Sequence, residues 1–268
     1  MKRILTYTFL QLALLLVVLT GCTESNAGSI DQIRNRGALL VGSTGDYRHL
    51  SYREPATGQY WGFDVDLANI IAEDLGVAVQ FLPTSWPTLA EDMMNPKYFD
   101  LAICGISITD ARKETMLMSD GYLANGKTIL CRKADAGRFQ SLDDINRPEV
   151  TVMVNPGGLN EKFAKENLTN ARIVVHQKNE EIPSLVAEGQ ADVMITEIVE
   201  APYYVQNDDR LAAPLIDRPF TSGQIGVLMR KGSEELLKRV NSILDRCRKD
   251  GTLRRLHEKY GFNYTEQL

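Results

Sequence analysis

The stretch FDVDLANIIAEDLGVAVQFLP, residues 63–83, sets the architecture. Phe63, Leu67, Ile70, Ile71 and Leu75 recur at helical spacing, so one face of a helix is apolar. Gly76 follows the last periodic residue, where a glycine can take the left-handed conformation that ends a helix. VAVQFLP then reads as a strand. Upstream, Ile30 and Ile33 belong to a short helix and ALLVGS (38–43) to a buried strand. Downstream, a helical TLAEDMMN (88–95) leads to a strand in FDLAICG (99–105). This β-α-β-α-β alternation predicts a parallel sheet with helices on both faces.

The pattern then restarts. EVTVMVN (149–155), ARIVVH (171–176) and ADVMIT (191–196) read as strands, with LNEKFAKENL (159–168) and EEIPSLVAEG (180–189) as the helices between them. KTILCRKADAGRFQSLDDIN (127–146) carries a strand and a polar loop. The extended GQIGVLMRK (223–231) precedes two amphipathic helices at the C-terminal end. The expected fold is α/β, with two lobes joined by two crossings, each lobe a mostly parallel sheet flanked by helices. Residues 30–128 and 224–268 make the first lobe, and 129–223 the second.

Lys2 and Arg3 precede the apolar LALLLVVL (12–19), which ends in Leu19-Thr20-Gly21-Cys22. A basic start, a short apolar core and small residues before a cleavage point predict a secretory signal peptide over residues 1–21. The Leu-Thr-Gly-Cys ending resembles the bacterial lipoprotein box, which would make Cys22 the lipidated first residue of an exported chain. An ordinary signal with an incidental cysteine is the alternative. Residues 22–29 would then be a tether, the location periplasmic, and the lipid the sole contact with the membrane.

The formal charge is −5 for the whole chain, and it becomes −7 once Lys2 and Arg3 are removed with the leader. No basic patch invites nucleic acid, so the expected partner is a small molecule. Cys104, Cys131 and Cys247 leave an odd number of thiols after Cys22; a Cys104–Cys131 disulfide is one possibility that spacing does not decide. Neither these cysteines nor His49, His176 and His257 have metal-ligand spacing, so neither metal nor cofactor is expected.

Ligands of open α/β sheets bind outside the carboxyl ends of the strands. That rule selects the loops in GSTGDY (42–47), CGISITDAR (104–112), VNPGG (154–158) and MITEIVE (194–200), which belong to both lobes. A cleft between the lobes follows.

The segments GQYWGFDVDLANIIAEDLG (58–76) and DLAICGISITDARKETMLMSDGYL (100–123) resemble the periplasmic amino-acid-binding proteins of transport systems. The match runs from about Ile30 to Phe262 and implies a hinged two-lobe clamp. A narrower resemblance lies within it. TGDYRHLSYR, PTSWPTL, GISI, NGKT, VNPGGLNEKFA and TEIVEA are similar to the periplasmic cyclohexadienyl dehydratases, binding-protein relatives that convert prephenate to phenylpyruvate and arogenate to phenylalanine. A transport-linked binding protein without catalysis is the alternative, since it shares the fold.

The residues can be weighed against that chemistry. Arg112 has the planar fork that holds a carboxylate by two hydrogen bonds, with Ser107 and the backbone from Gly105 onward as further donors; a solvated helix arginine is the bland alternative. Asn155, Gly157, Gly158 and Asn160 lie where a strand meets a helix, and bare N–H groups there suit a second anion. The resemblance implies a hydroxyl residue at position 159, where this chain has Leu159. Tyr47 and Trp86 could enclose a ring, although spacing alone does not separate that from core packing. Trp61 reads as structural. Lys127 and Thr128, at the first crossing, are further candidates.

Glu197 and Glu200 stand in an apolar and aromatic run, three residues apart, and are expected in the first turn of a helix. The resemblance implies that Glu197 replaces an aspartate that takes a ligand ammonium, and that Glu200 is the general acid. Apolar neighbours and the Glu197 charge would raise the Glu200 pKa, and the helix N-terminus would oppose them.

Overall fold

The computed structural model describes residues 29–264. The predicted leader, the lipidation site Cys22 and nearly all of the tether lie outside the described residues.

The opening stretch forms the helix Phe63–Leu75, capped by Gly76 at φ 74°, whose N–H reaches Ala72 O and Glu73 O. Phe63, Leu67, Ile71 and Leu75 are buried. Leu67 and Ile71 pack in a core shared with Leu39, Val41, Leu101 and the C-terminal Val240, Ile243 and Leu253. The helices Glu234–Lys249 and Thr252–Lys259 therefore complete the first lobe, because their apolar stripes have that core to cover.

The first sheet has the strand order Ala78–Pro83, Ala38–Ser43, Leu101–Ala102, Leu228–Arg230, Met116–Met118. Its first three strands are parallel, Leu228–Arg230 runs antiparallel to them, and Met116–Met118 pairs antiparallel with Leu228–Arg230 at the edge. The second sheet runs Arg172–Val175, Thr151–Val154, Val193–Glu197, Lys127–Arg132, Leu211–Ala212, again with three parallel strands first. A separate two-stranded ribbon, Leu123–Asn125 against Gly223–Ile225, carries both crossings between the sheets. Lys127 and Thr128, assigned to the first lobe from sequence, pair with Glu197 and Thr196 in the second sheet.

Two details differ from the sequence reading. GQIGVLMRK is not one strand but two, because its first part pairs in the ribbon and its second in the first sheet. FDLAICG contributes only Leu101–Ala102 to the ladder. The chain then turns toward the cleft, and Gly105 takes φ 75°. The three cysteines are free thiols buried in separate places, with Cys104 and Cys131 in the cores of different lobes, so they do not form the disulfide that spacing allowed.

Candidate functional site

The four loops converge. Tyr47, Trp86, Gly105, Ser107, Arg112, Lys127, Asn155, Gly158, Leu159, Asn160, Asn179, Glu197 and Glu200 line one cleft between the lobes. The lobes are closed on it: Tyr47 of the first lobe hydrogen-bonds Glu197 of the second, and the His49 and Tyr203 rings meet edge-on at 4.7 Å.

Two expected residues do not line it. Thr128 is fully buried behind Lys127, since neighbouring strand residues face opposite ways. Gly157, at φ 71°, sits beneath Pro87 of the other lobe; a Cβ there would be 2.7 Å from Pro87 Cα. Its N–H is also committed, donating to Glu161 Oε2 at 2.6 Å. The donors left from VNPGG are therefore Gly158 and the start of the helix Leu159–Asn167. Trp61 packs edge-on against Tyr52, away from the cleft.

Gly105 allows a close approach. A Cβ there would fall 2.3 Å from the Tyr47 ring. Its N–H donates to Asp64 Oδ2 at 2.5 Å, and Tyr122 Oη donates to Asp64 Oδ1 at 2.8 Å. Burial raises the Asp64 carboxyl to about 7, against those two bonds. Two residues on, Ser107 O accepts from Arg112 Nη1 at 2.6 Å, which turns the guanidinium toward the cleft loop. Trp86 Nε1 donates to Asp46 Oδ2 at 3.2 Å, and its ring stands perpendicular to Tyr47 at 6.2 Å.

The two glutamates are not in one helical turn. Glu197 is the last residue of the strand Val193–Glu197, and Glu200 precedes the helix Ala201–Asn207 as its N-cap. Both are buried, in opposite environments. Glu197 Oε1 accepts from Lys127 Nζ at 2.5 Å and Ser107 Oγ at 3.3 Å, and Oε2 from the Tyr47 hydroxyl. Burial, the largest single influence, would raise this carboxyl, but the Lys127 charge and hydrogen bond together with the Tyr47 and Asn125 bonds hold the group below the usual range. Lys127 also donates to Asn160 Oδ1 at 2.6 Å.

Among the described residues Glu200 has only neutral hydrogen-bond partners. Asn179 Nδ2 and Tyr204 Oη donate to Oε1 at 2.8 and 3.2 Å, and Thr196 Oγ1 donates to Oε2 at 2.6 Å. Burial raises the carboxyl to about 7; the Thr196 and Asn179 bonds lower it, and the charges of Glu197 and Asp46 raise it further. Asn179 was missed from sequence. It lies in a short turn, Asn179–Glu181, with no local pattern to mark it. The Asn125 side chain donates to Ser107 Oγ at 3.2 Å.

Two α/β lobes, crossings in a ribbon and a cleft between them define a clamp for small solutes. The chain belongs to the bacterial extracellular solute-binding proteins, family 3, whose family model spans residues 39–263. It is 38% identical over 250 residues to a cyclohexadienyl dehydratase of Pseudomonas aeruginosa, covering 93% of this chain and 92% of that one. Among solved structures it is similar to an ancestral amino-acid-binding protein described as a precursor of cyclohexadienyl dehydratase, at a TM-score of 0.80 and 38% identity, covering 86% of this chain and 98% of the other. An ancestral cyclohexadienyl dehydratase is 52% identical with a TM-score of 0.53, over 86% of this chain and 95% of the other.

Proposed function

We propose that this chain is a cyclohexadienyl dehydratase, a carbon–oxygen lyase that converts prephenate to phenylpyruvate and arogenate to phenylalanine. The observation that carries the reading is the pair of unlike carboxyls in one cleft: Glu197 charged beside Lys127, and Glu200 buried among neutral donors and raised to about 7. Environments that push two acids apart in this way assign one to charge and one to proton transfer.

The reaction makes modest demands. As the ring carboxylate leaves as carbon dioxide, its electron pair enters the ring and the ring hydroxyl departs. Hydroxide is a poor leaving group, and a proton from Glu200 lets it leave as water. One proton is consumed, one carbon dioxide and one water are released, and the ring becomes aromatic. Neither nucleophile nor cofactor is needed. Arg112 and Ser107 would anchor one carboxylate, and Gly158, Asn155 and Asn160 with Lys127 the other, while Tyr47 and Trp86 enclose the ring.

Incubating the purified protein with prephenate at neutral pH and following phenylpyruvate tests the reading. Formation at the spontaneous rate, with ligand bound, would leave a binding protein instead. That second reading has the ancestral amino-acid-binding relative in its favour. Within the enzyme reading, Glu197 is the competing acid, because its carboxyl meets donors from both lobes. The lipid anchor at Cys22 belongs to the same proposal: the wild type should fractionate with membranes and Cys22→Ser with the soluble periplasm.

A further inference from the structure

Asn179 opens the short turn Asn179–Glu181, which follows the strand Arg172–Val175 in the second lobe. The turn is braced from outside: Glu181 Oε1 accepts from Lys178 Nζ at 2.7 Å, and Glu181 Oε2 meets His176 Nε2 at 2.8 Å. Asn179 itself is 5% exposed and lines the cleft. Its side-chain nitrogen donates to Glu200 Oε1 at 2.8 Å and to the backbone oxygen of Asp46, in the first lobe, at 3.5 Å. A backbone carbonyl can only accept, so that contact fixes which end of the amide faces Asp46 and Glu200. Both N–H groups of the amide are thereby used. Oδ1 is buried and has no hydrogen-bond partner among the described residues.

That oxygen differs from the other acceptors of the lining. Both oxygens of Glu197 and both of Glu200 already accept from donors. Asn160 Oδ1 accepts from Lys127 Nζ at 2.6 Å, and Asn155 Oδ1 from Asn160 Nδ2 at 3.4 Å. Of the carboxyl and amide side chains that line the cleft, Asn179 alone keeps an acceptor without a donor among the described residues. A buried acceptor left in that state costs free energy until a hydrogen reaches it. The carboxylates and the carbonyl of prephenate offer none. Its one donor is the ring hydroxyl, the group to be expelled, and arogenate adds only its ammonium. An unmatched acceptor beside the proposed acid suits that hydroxyl.

We propose that Asn179 recognises the leaving group: Oδ1 accepts the O–H of the ring hydroxyl while Nδ2 holds Glu200, so one amide fixes the oxygen and the acid toward each other. This role rests on the dehydratase reading and deepens it. Prephenate and arogenate carry the same hydroxyl, so it is common to both. With its own hydrogen turned to Oδ1, the hydroxyl oxygen presents a lone pair to the Glu200 proton. The C–O bond breaks with its electron pair going to oxygen, the Glu200 proton forms the second O–H, and water departs. The oxygen grows more positive as the proton arrives, which makes its first O–H a stronger donor. The bond to Oδ1 therefore tightens in the transition state, where it accelerates the reaction. Because Asp46 belongs to the other lobe, the amide takes this setting in the closed clamp.

Two aromatic probes separate recognition from turnover. Phenylpyruvate and 4-hydroxyphenylpyruvate differ only by a hydroxyl at the ring position from which water is lost. Titration calorimetry on the full-length mature protein should show 4-hydroxyphenylpyruvate bound about threefold to tenfold more tightly, the range of one neutral hydrogen bond. Asn179→Leu and Asn179→Ala should bring the two affinities within twofold of each other, and either variant decides if the other fails to fold. Asn179→Asp keeps an acceptor and should keep the preference. Equal affinities in the wild type, a preference that survives in the leucine or alanine variant, or its loss in Asn179→Asp would overturn the proposal. Prephenate turnover reads the other end of the amide. Asn179→Ala should lower kcat about tenfold with KM changed much less, and should move the alkaline limb of kcat to higher pH, because the Nδ2 bond holds the Glu200 carboxyl down. Thr196, Tyr204, Glu197 and Asp46 face that carboxyl in both proteins, so the comparison isolates Asn179. A limb that stays in place would overturn the hold on Glu200. A protein that shows the Asn179-dependent preference but forms phenylpyruvate only at the spontaneous rate loses the enzyme reading and keeps the hydroxyl-binding amide. A protein that dehydrates prephenate without that preference keeps the enzyme reading and loses this one.

Discussion

Thr196, the residue before Glu197 on its strand, donates its hydroxyl to Glu200 Oε2 at 2.6 Å. One strand end therefore positions both acids: Glu197 by its own place in the ladder, and Glu200 by the side chain of its neighbour. Glu200→Gln retains the size and the amide–hydroxyl contacts but has no acidic proton. Positioned proton transfer contributes roughly a hundredfold to ten-thousandfold. The variant should lose that much in kcat on prephenate while its affinity for phenylpyruvate changes little. Single-turnover rates and product titration separate the two, and near-normal kcat would pass the role to Glu197.

The pH dependence carries its own sign. As the proposed general acid, Glu200 has to be protonated, so kcat should fall about tenfold per pH unit above about 7, where its carboxyl ionises. Stability moves in the same direction. The folded carboxyl is raised to about 7 from 4.5, so below 4.5 it is neutral in both states and costs nothing. As pH rises from 4.5 to about 7, the unfolded state ionises and the folded state does not, and stability is lost. The loss is about 3 kcal/mol at most by proton linkage. Asp64 is also raised to about 7 and shares the window. Denaturant unfolding of wild type and Glu200→Gln from acid to neutral pH isolates the Glu200 share, because the variant should lose less stability over that range.

Gly157 tests the closed state. Its φ of 71° disfavours a side chain, and a Cβ would meet Pro87 across the cleft at 2.7 Å. The strain alone costs about 1–2 kcal/mol. The contact across the lobes adds a second effect, since closure would drive the methyl into backbone. Gly157→Ala should weaken phenylpyruvate binding tenfold or more, and small-angle scattering with ligand should show a larger radius of gyration than wild type. An unchanged radius and affinity would mean that closure does not use this contact.

The lobes were legible because Phe63–Leu75 and its counterparts carry their apolar residues at a spacing that only one secondary structure can bury. The cleft was legible because the glycines and short polar residues of CGISITDAR and VNPGG sit at strand ends. The partners of Glu200 were not. Asn179 and Tyr204 reach it from a separate turn and from the following helix, and no local period marks a side chain whose role depends on tertiary closure. Glu197 and Glu200 were placed in one helical turn because their spacing allows it. The strand instead extends through Glu197, held by pairing with Lys127, and the helix begins only at Ala201. Local propensity yielded to the ladder, and that shift gives the two acids their unlike surroundings.

Arg112 supplies the last test, because its two neighbours in chemistry remove different things. Its Nη1 is held by Ser107 O, which leaves the outer edge of the fork for a carboxylate. Burial lowers its pKa from the usual arginine value, yet leaves it a cation at neutral pH. Arg112→Lys keeps a charge but loses the two parallel bonds, so phenylpyruvate affinity should fall about tenfold to a hundredfold. Arg112→Ala removes the charge as well and should fall further, by about 2–5 kcal/mol as for a truncated buried ion-pair partner. KM should rise in both, and kcat should change much less, since the anchor is equally engaged before and during bond breaking. Titration with phenylpyruvate and steady-state kinetics on prephenate give the two numbers. If kcat falls as steeply as affinity, Arg112 acts on the departing group, and the carboxylate anchor must be sought among Lys127, Asn155 and Asn160.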